Sequence, residues 1–340
     1  DRNSKIKKEK IPIIKVKNIK KTIAEACSTF YQTKPKNIIA VTGTNGKSSV
    51  AEFYHQILTA QKIPVASLGT LGIKINNRIT RSDLTTLDII SLHRELNKIK
   101  ILGIDNVILE ASSHGLEQGR LDGLNFKTAI FTNFSQDHLD YHKNLDDYLK
   151  AKLYLFETLI KKRGNVITDQ SIPEFKKIKK ITLNRNLKLQ TLNDKKNNFE
   201  IISHGFKGET QFLKIKHNNL TKDINFNLIG KIQLKNVLMA IIAAKNSYLN
   251  LDKILNIIPK LKPVEGRFER VGKIKNLSKV ILDYAHTPDA LKTCLLNLRE
   301  QFPDKKITLL FGCGGNRDQT KRSKMGKIAS NYADGIILTN

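Results

Sequence analysis

From Gly43 to Ser49 the chain reads Gly-Thr-Asn-Gly-Lys-Ser-Ser, a run of residue types suited to holding a row of phosphates. Gly43 and Gly46 let the backbone turn tightly around Thr44 and Asn45 and present its N–H groups. A helix starting near Ser48 would aim the positive end of its dipole at the same point. Lys47 is long enough to reach a terminal phosphate, and the Ser48 hydroxyl is a hard oxygen donor for Mg²⁺. The general phosphate-loop pattern is not met, because Val41 stands where its first glycine should be. Context carries the reading: the apolar run Ile38-Ile39-Ala40-Val41 reads as a strand, and the turn and a helix follow it in order.

Two more groups of reactive side chains follow apolar runs. Val107-Ile108-Leu109 leads into Glu110-Ala111-Ser112-Ser113-His114-Gly115, and Ala129-Ile130-Phe131 leads into Thr132-Asn133-Phe134-Ser135-Gln136-Asp137-His138. In doubly wound sheets, ligands bind beyond the carboxyl ends of the strands, so Glu110 and His138 fall in the same layer as the phosphate turn. There they would hold a metal beside a triphosphate. A lone histidine is more often structural, and only its position after a strand argues for a ligand. Lys152, near the start of a helix read over 151–163, is by itself a solvated lysine. Asn236 lies in a helix read over 230–248 whose alanines and isoleucines are most simply core.

The elements that must position these residues follow a strand–helix rhythm. Val50 to Ala60 has helical periodicity, 64–69 reads as a strand, and the polar Ser82-Asp83-Leu84-Thr85-Thr86 precedes a helix through Leu96. This argues for an α/β fold with a doubly wound central sheet. Between 165 and 229 short strands rich in Asn, Lys and Asp suggest an antiparallel appendage. A boundary is expected near 263–267. Beyond it, Lys279–Asp283, Pro288–Glu300, Ile307–Phe311 and Gly335–Thr339 predict a partial Rossmann-like α/β domain of three strands. The expected division is a lead or linker over 1–37, a central domain over 38–262 and a second α/β domain over 263–340. Residues 1–37 are too few for a core, and both ends read as cut short.

The 340 residues carry 59 Lys+Arg against 31 Asp+Glu, a formal charge of +28. The lysines look scattered, as compositional bias would leave them, so no nucleic-acid partner is expected; a nucleotide would benefit from the same field. Cys27, Cys294 and Cys313 form no close pair, which fits a reducing compartment without disulfides or zinc. No apolar run reaches the roughly 18 residues of a membrane span, so a soluble, cytoplasmic protein without membrane insertion is expected; a monomer is the default expectation, since nothing in the sequence speaks to oligomeric state.

Four stretches then add up in order: Ser112-Ser113-His114-Gly115-Leu116-Glu117-Gln118-Gly119-Arg120, Thr132 through His142, Asp283-Tyr284-Ala285-His286-Thr287-Pro288-Asp289-Ala290-Leu291, and Phe311 through Asp318. Together with the phosphate turn they resemble the Mur ligase family over nearly the whole chain from Ile38 onward. The turn alone would also suit folylpolyglutamate synthases or cyanophycin synthetases. The resemblance implies a P-loop-type central domain and an ATP-dependent amide ligase of peptidoglycan synthesis. It would add meso-diaminopimelate or lysine to UDP-N-acetylmuramoyl-L-alanyl-D-glutamate through an acyl phosphate.

Roles implied by the resemblance follow residue by residue. Gly43, Thr44, Asn45, Gly46, Lys47, Ser48 and Ser49 would cradle the ATP phosphates, with one Mg²⁺ on Ser48. Glu110, His138 and a carbamylated Lys152 would hold a second Mg²⁺. Asn236 would contact adenine, Arg267 the phosphates and Asp283 the ribose, with His286 nearby. Thr85, Thr86, Ser113, Gln118 and Arg120 would hold the UDP-muramoyl-dipeptide. Lys47, Lys152 and His138 would carry the catalysis. By the resemblance, residues 1–37 would be a remnant or linker of the amino-terminal uridine-binding domain, and the segment that recognises the incoming amino acid would follow Asn340, which leaves the choice of diamino acid open. A non-catalytic remnant that still binds ATP is the alternative, as is another ligase of the folylpolyglutamate type.

Overall fold

The computed structural model describes residues 14–76, 78–192, 200–217, 220–273, 278–313 and 320–339. The chain enters through α1 (Ile19–Phe30), whose first turn is capped by the Asn18 side chain accepting from the Lys21 N–H. Then come β1 (Asn37–Thr42), α2 (Lys47–Ala60), β2 (Val65–Gly69), β3 (Gly72–Ile75), β4 (Arg78–Thr80), α3 (Ile89–Ile101) and β5 (Asn106–Glu110). They are followed by α4 (Ser113–Glu117), β6 (Phe126–Phe131), α5 (Leu145–Tyr154), β7 (Ile160–Thr168), α6 (Phe175–Asn184) and β8 (Lys188–Thr191). The eight strands form one sheet in the order β4-β3-β2-β5-β1-β6-β7-β8. It is parallel from β2 to β8, and β3 and β4 extend it antiparallel at one edge.

The period-2 alternation of β1 divides its side chains between two cores. Ile39 and Val41 pack with Phe53, Ile57, Val237 and Ile241 of the helices on one face. Ile38 and Ala40 pack with Leu92, Leu96 and Ile99 of α3 on the other. A three-stranded antiparallel sheet of β9 (Glu200–Lys207), β10 (Thr210–His217) and β11 (Leu220–Phe226) follows. Next are α7 (Lys231–Asn246) and α8 (Leu251–Leu255), and α7 packs along α2. The rest is β12 (Glu269–Lys273), β13 (Lys279–Leu282), α9 (Pro288–Gln301), β14 (Thr308–Gly312), α10 (Thr320–Tyr332) and β15 (Gly335–Thr339).

The fold is α/β with a doubly wound central sheet, as expected, but three local expectations are corrected. The helix carrying Lys152 starts at Leu145 under an Asn144 cap, runs to Tyr154 and widens into a π-turn over Leu155–Leu159. Lys152 therefore sits in its last turn, and 160–163 belong to β7. Residues 165–191 are not an appendage: β7 and β8 are parallel strands of the central sheet with α6 between them, and only 200–226 are antiparallel. Beyond 263 the strands form two pairs, β12–β13 antiparallel and β14–β15 parallel, with no pairing of β13 to β14 among the described residues. Ile11-Pro12-Ile13, Gly314 through Asp318 and Asn340 lie outside the described residues.

The carboxyl-terminal unit meets the central one through an apolar cluster, in which Ile229 and Ile232 pack with Phe268, Cys294 and Leu298, and through polar contacts. Gln301 accepts from the Gly230 N–H at 2.7 Å and donates to the Gly208 carbonyl at 3.1 Å. Asn297 accepts from the Ile232 N–H at 2.9 Å, and Glu209 pairs with both Arg270 and Lys279.

Candidate active site

Between β1 and α2 the turn is shaped by what surrounds its glycines. Gly43 has φ +140°, and a Cβ there would lie 2.0 Å from Thr132 Oγ1; Gly46 has φ +87°, and a Cβ would meet Asn236 Oδ1 at 2.7 Å. Residues after β6 hold the turn from the other side. The Thr44 N–H donates to the Asn133 carbonyl and the Asn45 N–H to Asn133 Oδ1, both at 2.9 Å. Thr132 Oγ1 donates to the Asn45 carbonyl at 2.5 Å, and Thr44 Oγ1 to the Ser135 carbonyl at 3.2 Å. No side chain caps α2, so its first N–H groups face the turn. Ser48 and Ser49 are buried at its start.

Two lysines converge on this turn from different helices. Lys47 Nζ donates to the carbonyls of Gly43 (3.0 Å) and Thr44 (2.9 Å), and Lys152 Nζ donates to the same Gly43 carbonyl at 2.8 Å. Lys152 is 1 % exposed, which overturns its reading as a solvated side chain. Burial lowers the pKa of both amines, and for Lys152, where the neighbouring Lys47 charge adds to the effect, the shift is to well below the ordinary value. Glu110 pulls the other way on Lys47.

Glu110, at the end of β5, is 2 % exposed and fully engaged. Ser48 Oγ donates to Oε2 at 3.0 Å, the Thr70 N–H to Oε1 at 2.8 Å and the Thr70 hydroxyl to Oε2 at 3.2 Å. The carboxylate fits because Gly69 carries no side chain: a Cβ there would sit 2.2 Å from Oε1. The network continues away from the turn. Thr70 and Thr85 share a hydroxyl contact at 3.1 Å, and Thr86 Oγ1 donates to the Glu110 carbonyl at 2.8 Å. Arg120 reaches the Thr86 carbonyl at 2.7 Å and grips Gln118 Oε1 through Nε and Nη2, while Gln118 Nε2 donates to the Tyr141 hydroxyl. The serine that joins Thr86 is Ser112, at 3.0 Å between hydroxyls; Ser113 is buried with its Oγ unpartnered.

His138 has a left-handed backbone (φ +53°) held by its N–H donating to Asp137 Oδ1 at 2.9 Å. Its Nε2 is 3.4 Å from Asp137 Oδ2, and its ring meets His114 edge-on at 4.8 Å. Burial pushes the imidazole pKa down to about 4. Asp137 Oδ2 also lies 3.7 Å from His286 Nε2, so one carboxylate joins the two units. A cleft of about 70 Å³ lies there, lined by Asp137, His138, His286, Lys321 and Lys324 among others. Arg267 stacks over the Tyr284 ring at 4.4 Å, close enough for its charge to act on Lys47. Gln233 links it to the turn, donating to the Arg267 carbonyl and accepting from Asn236 Nδ2. Asp283 accepts from the Phe268 and Ala285 N–H groups, and burial raises its carboxyl pKa.

The donor chemistry suits a divalent cation at the turn. Ser48 Oγ and Glu110 Oε2 are adjacent hard oxygens beside the phosphate cradle, the kind Mg²⁺ takes alongside phosphate oxygens. Among the described residues, no group of three His, Cys, Asp or Glu side chains could hold an ion alone. Thr70, Thr132 and Asp137 do work that sequence spacing did not reveal. Only the position of Thr70 after Gly69 and of Asp137 before His138 hinted at it.

The sequence matches the Mur ligase middle domain over residues 41–244. The chain belongs to the Mur ligase family. Residues 266–340 match a second Mur ligase region, described as the glutamate ligase domain. Among curated Mur ligases it is 39 % identical to the UDP-N-acetylmuramoyl-L-alanyl-D-glutamate–2,6-diaminopimelate ligase of Rickettsia montanensis over 96 % of this chain and 68 % of that protein. Its namesake in Rickettsia bellii is 40 % identical, over 96 % and 69 %. A solved structure of such a diaminopimelate ligase superposes with a TM-score of 0.72 at 30 % identity, covering 95 % of this chain and 65 % of that one. The chain thus spans about two thirds of the length of these Mur ligases. The ADP complex of the Mycobacterium tuberculosis folylpolyglutamate synthase shares the fold at a TM-score of 0.72 and 16 % identity, covering 94 % and 78 %.

Proposed function

We propose that this Mur ligase joins 2,6-diaminopimelate to UDP-N-acetylmuramoyl-L-alanyl-D-glutamate at the expense of ATP, in the cytoplasm. The observation that carries it is the convergence of Lys47 and Lys152 on the Gly43 carbonyl beside the Ser48–Glu110 oxygens, in a chain that aligns with diaminopimelate ligases along nearly its whole length. With the Thr44 and Asn45 N–H groups engaged by Asn133, the N–H groups at the start of α2 and Lys47 hold the β- and γ-phosphates of ATP, while Asn236, Arg267, Asp283 and His286 close over the nucleotide from the other side. Thr85, Thr86, Gln118 and Arg120, with Ser112 or Ser113, orient the muramoyl-dipeptide so that its free carboxylate faces the γ-phosphorus.

That carboxylate attacks the γ-phosphorus and the bond to the β-γ bridging oxygen breaks, giving an acyl phosphate and ADP. The amine of the diamino acid then attacks the acyl carbon, phosphate leaves, and the nitrogen gives up a proton as the amide forms. Mg²⁺ ions bound by Ser48, Glu110 and His138 would neutralise the phosphate charge that otherwise repels the carboxylate. The lowered pKa of Lys152 favours its neutral amine, and carbon dioxide added to that nitrogen with loss of a proton would give the carboxylate that a second ion requires.

Phosphate release from ATP and Mg²⁺ tests the reading, with the muramoyl-dipeptide present and diaminopimelate or lysine supplied separately. Release that needs the dipeptide and diaminopimelate, and is lost in Lys47→Ala, is the expected result. Release with lysine alone would move the specificity. Nucleotide binding that depends on Lys47 with no release under any condition would leave a nucleotide-binding remnant and sink the ligase reading.

A further inference from the structure

Part of the lysine excess gathers with exposed apolar side chains at one end of the central sheet. Every parallel strand of the central sheet begins at the end opposite the phosphate turn: Asn37 and Val65 both align with Asn106, Phe126 with Ile160, and Asn165 with Lys188. Three of the helices packed on the sheet finish there too. α3 ends at Ile101 and Leu102, and α6 ends where Arg185 reaches the Ile160 carbonyl at 3.2 Å. α7 ends at Ser247, whose Oγ accepts from Asn37 Nδ2 at 2.8 Å.

Two kinds of side chain share this end. Lys161, Lys162, Arg163 and Lys188 are exposed, and none of them is in an ion pair among the described residues. Between and beside them stand large apolar groups in water: Ile101 (71 % exposed), Leu102 (64 %), Leu183 (71 %) and Tyr248 (87 %), the last with Lys127 Nζ 4.0 Å over its ring. From β5 to β8 the row crosses four strand spacings, about 19 Å. Of the carboxylates nearby, Asp105 is paired with Lys100 at 2.6 Å, and Glu157 is exposed.

We propose that the amino-terminal end of the central sheet is a docking face for an anionic lipid bilayer. The lysines and Arg163 would meet acidic headgroups, and the leucines, Ile101 and Tyr248 would enter the headgroup boundary. A nucleic acid would satisfy the cations but leave the aliphatic side chains in water, so the combination favours a membrane surface. The seat is shallow, because the apolar side of α6, with Ile178 and Thr182, is spent on the core. On such a surface the phosphate turn, at the other end of the strands, faces away from the lipid.

Co-sedimentation of the full chain with vesicles tests this, using phosphatidylcholine alone and phosphatidylcholine with about 30 % phosphatidylglycerol. Pelleting is expected with the anionic vesicles only. Lys161→Glu/Lys162→Glu/Arg163→Glu should lower the bound fraction about tenfold or more. Lys305→Glu/Lys306→Glu/Lys327→Glu makes the same charge change on the carboxyl-terminal unit and should retain binding. Leu102→Ser/Leu183→Ser should bind at low salt and lose most binding at about 0.15 M salt. Thermal melting of each variant, all at exposed sites, reports folding. Three results would each overturn the proposal: no pelleting of the parent chain, equal loss in both charge variants, or duplex DNA displacing the chain from vesicles through the same residues.

Discussion

β1 and β6 of the central sheet are buried along almost their whole length, whereas β13, β14 and β15 leave most of their residues partly or fully exposed, Leu282 at 51 % and Leu338 at 72 %. Both regions send residues to one cleft. The central region holds Lys47, Glu110 and Lys152 within a close-packed frame of buried strands and helices. The carboxyl-terminal unit presents Arg267, Asp283 and His286 from thinly covered elements, joined through Gln301, Asn297 and Glu209. On the proposed reading, the first region would preorganise the phosphate chemistry and the second would complete it.

The sharpest way to break this comparison is at Lys152. Lys152→Ala should cut phosphate release about 10²–10³-fold and abolish a carbamate carbonyl signal in protein equilibrated with carbon-13 bicarbonate. Unchanged release would mean that the buried amine serves packing alone. Gly43→Ala comes next. With its Cβ 2.0 Å from Thr132 Oγ1, the variant should melt lower by the equivalent of about 1–3 kcal/mol and lose ATP affinity. A stable, ATP-binding variant would show that the frame yields more than its packing implies.

Acid should expose the same rigidity. His55, 1 % exposed in α2, has its pKa pushed from 6.5 down to about 3 by burial, and the Lys74 charge acts in the same direction. The unfolded chain takes up this proton near pH 6.5 while the folded chain refuses it. Stability is therefore whole above that pH and falls as pH drops toward 3, by up to about 1.4 kcal/mol per pH unit. Urea titrations across pH 4 to 7 should show a shallower acid limb in His55→Leu. The smallest effect is expected at the junction. Glu209 pairs with Arg270 and Lys279 at partly exposed positions, so Glu209→Gln should cost about 0–1 kcal/mol in melting and raise the KM for ATP only slightly. A loss as large as that of Gly43→Ala would erase the contrast between the regions.

The phosphate turn was legible in the sequence because its chemistry is local: two glycines, a lysine and a serine lie within one strand–turn–helix. The buried strands were legible as apolar runs. β7 and β8 read as strands of an appendage and not of the central sheet, because Lys161, Lys162 and Arg163 follow Ile160 at the start of β7, and β8, an edge strand with one neighbour, alternates Lys, Leu, Gln and Thr. The burial of Lys152 escaped as well, since its direction depends on a helix phase set by the Asn144 cap. Thr70 and Glu110 are separated by 40 residues, and no local pattern links them. Whether Ser112 or Ser113 faced Thr86 depended on the single turn between β5 and α4, where neighbouring residues point in different directions.

Asp137 Oδ2 lies within reach of His138 in the central region and of His286 in the other. An oxygen shared by two partners makes their free energies interdependent, and the dependence is reciprocal. If movement of the carboxyl-terminal unit toward the cleft strengthens the His286 contact at the expense of the His138 contact, then drawing His138 away from the carboxylate must favour that movement by the same amount. Opening and closing of the two units and the freedom of one imidazole are then two readings of a single equilibrium.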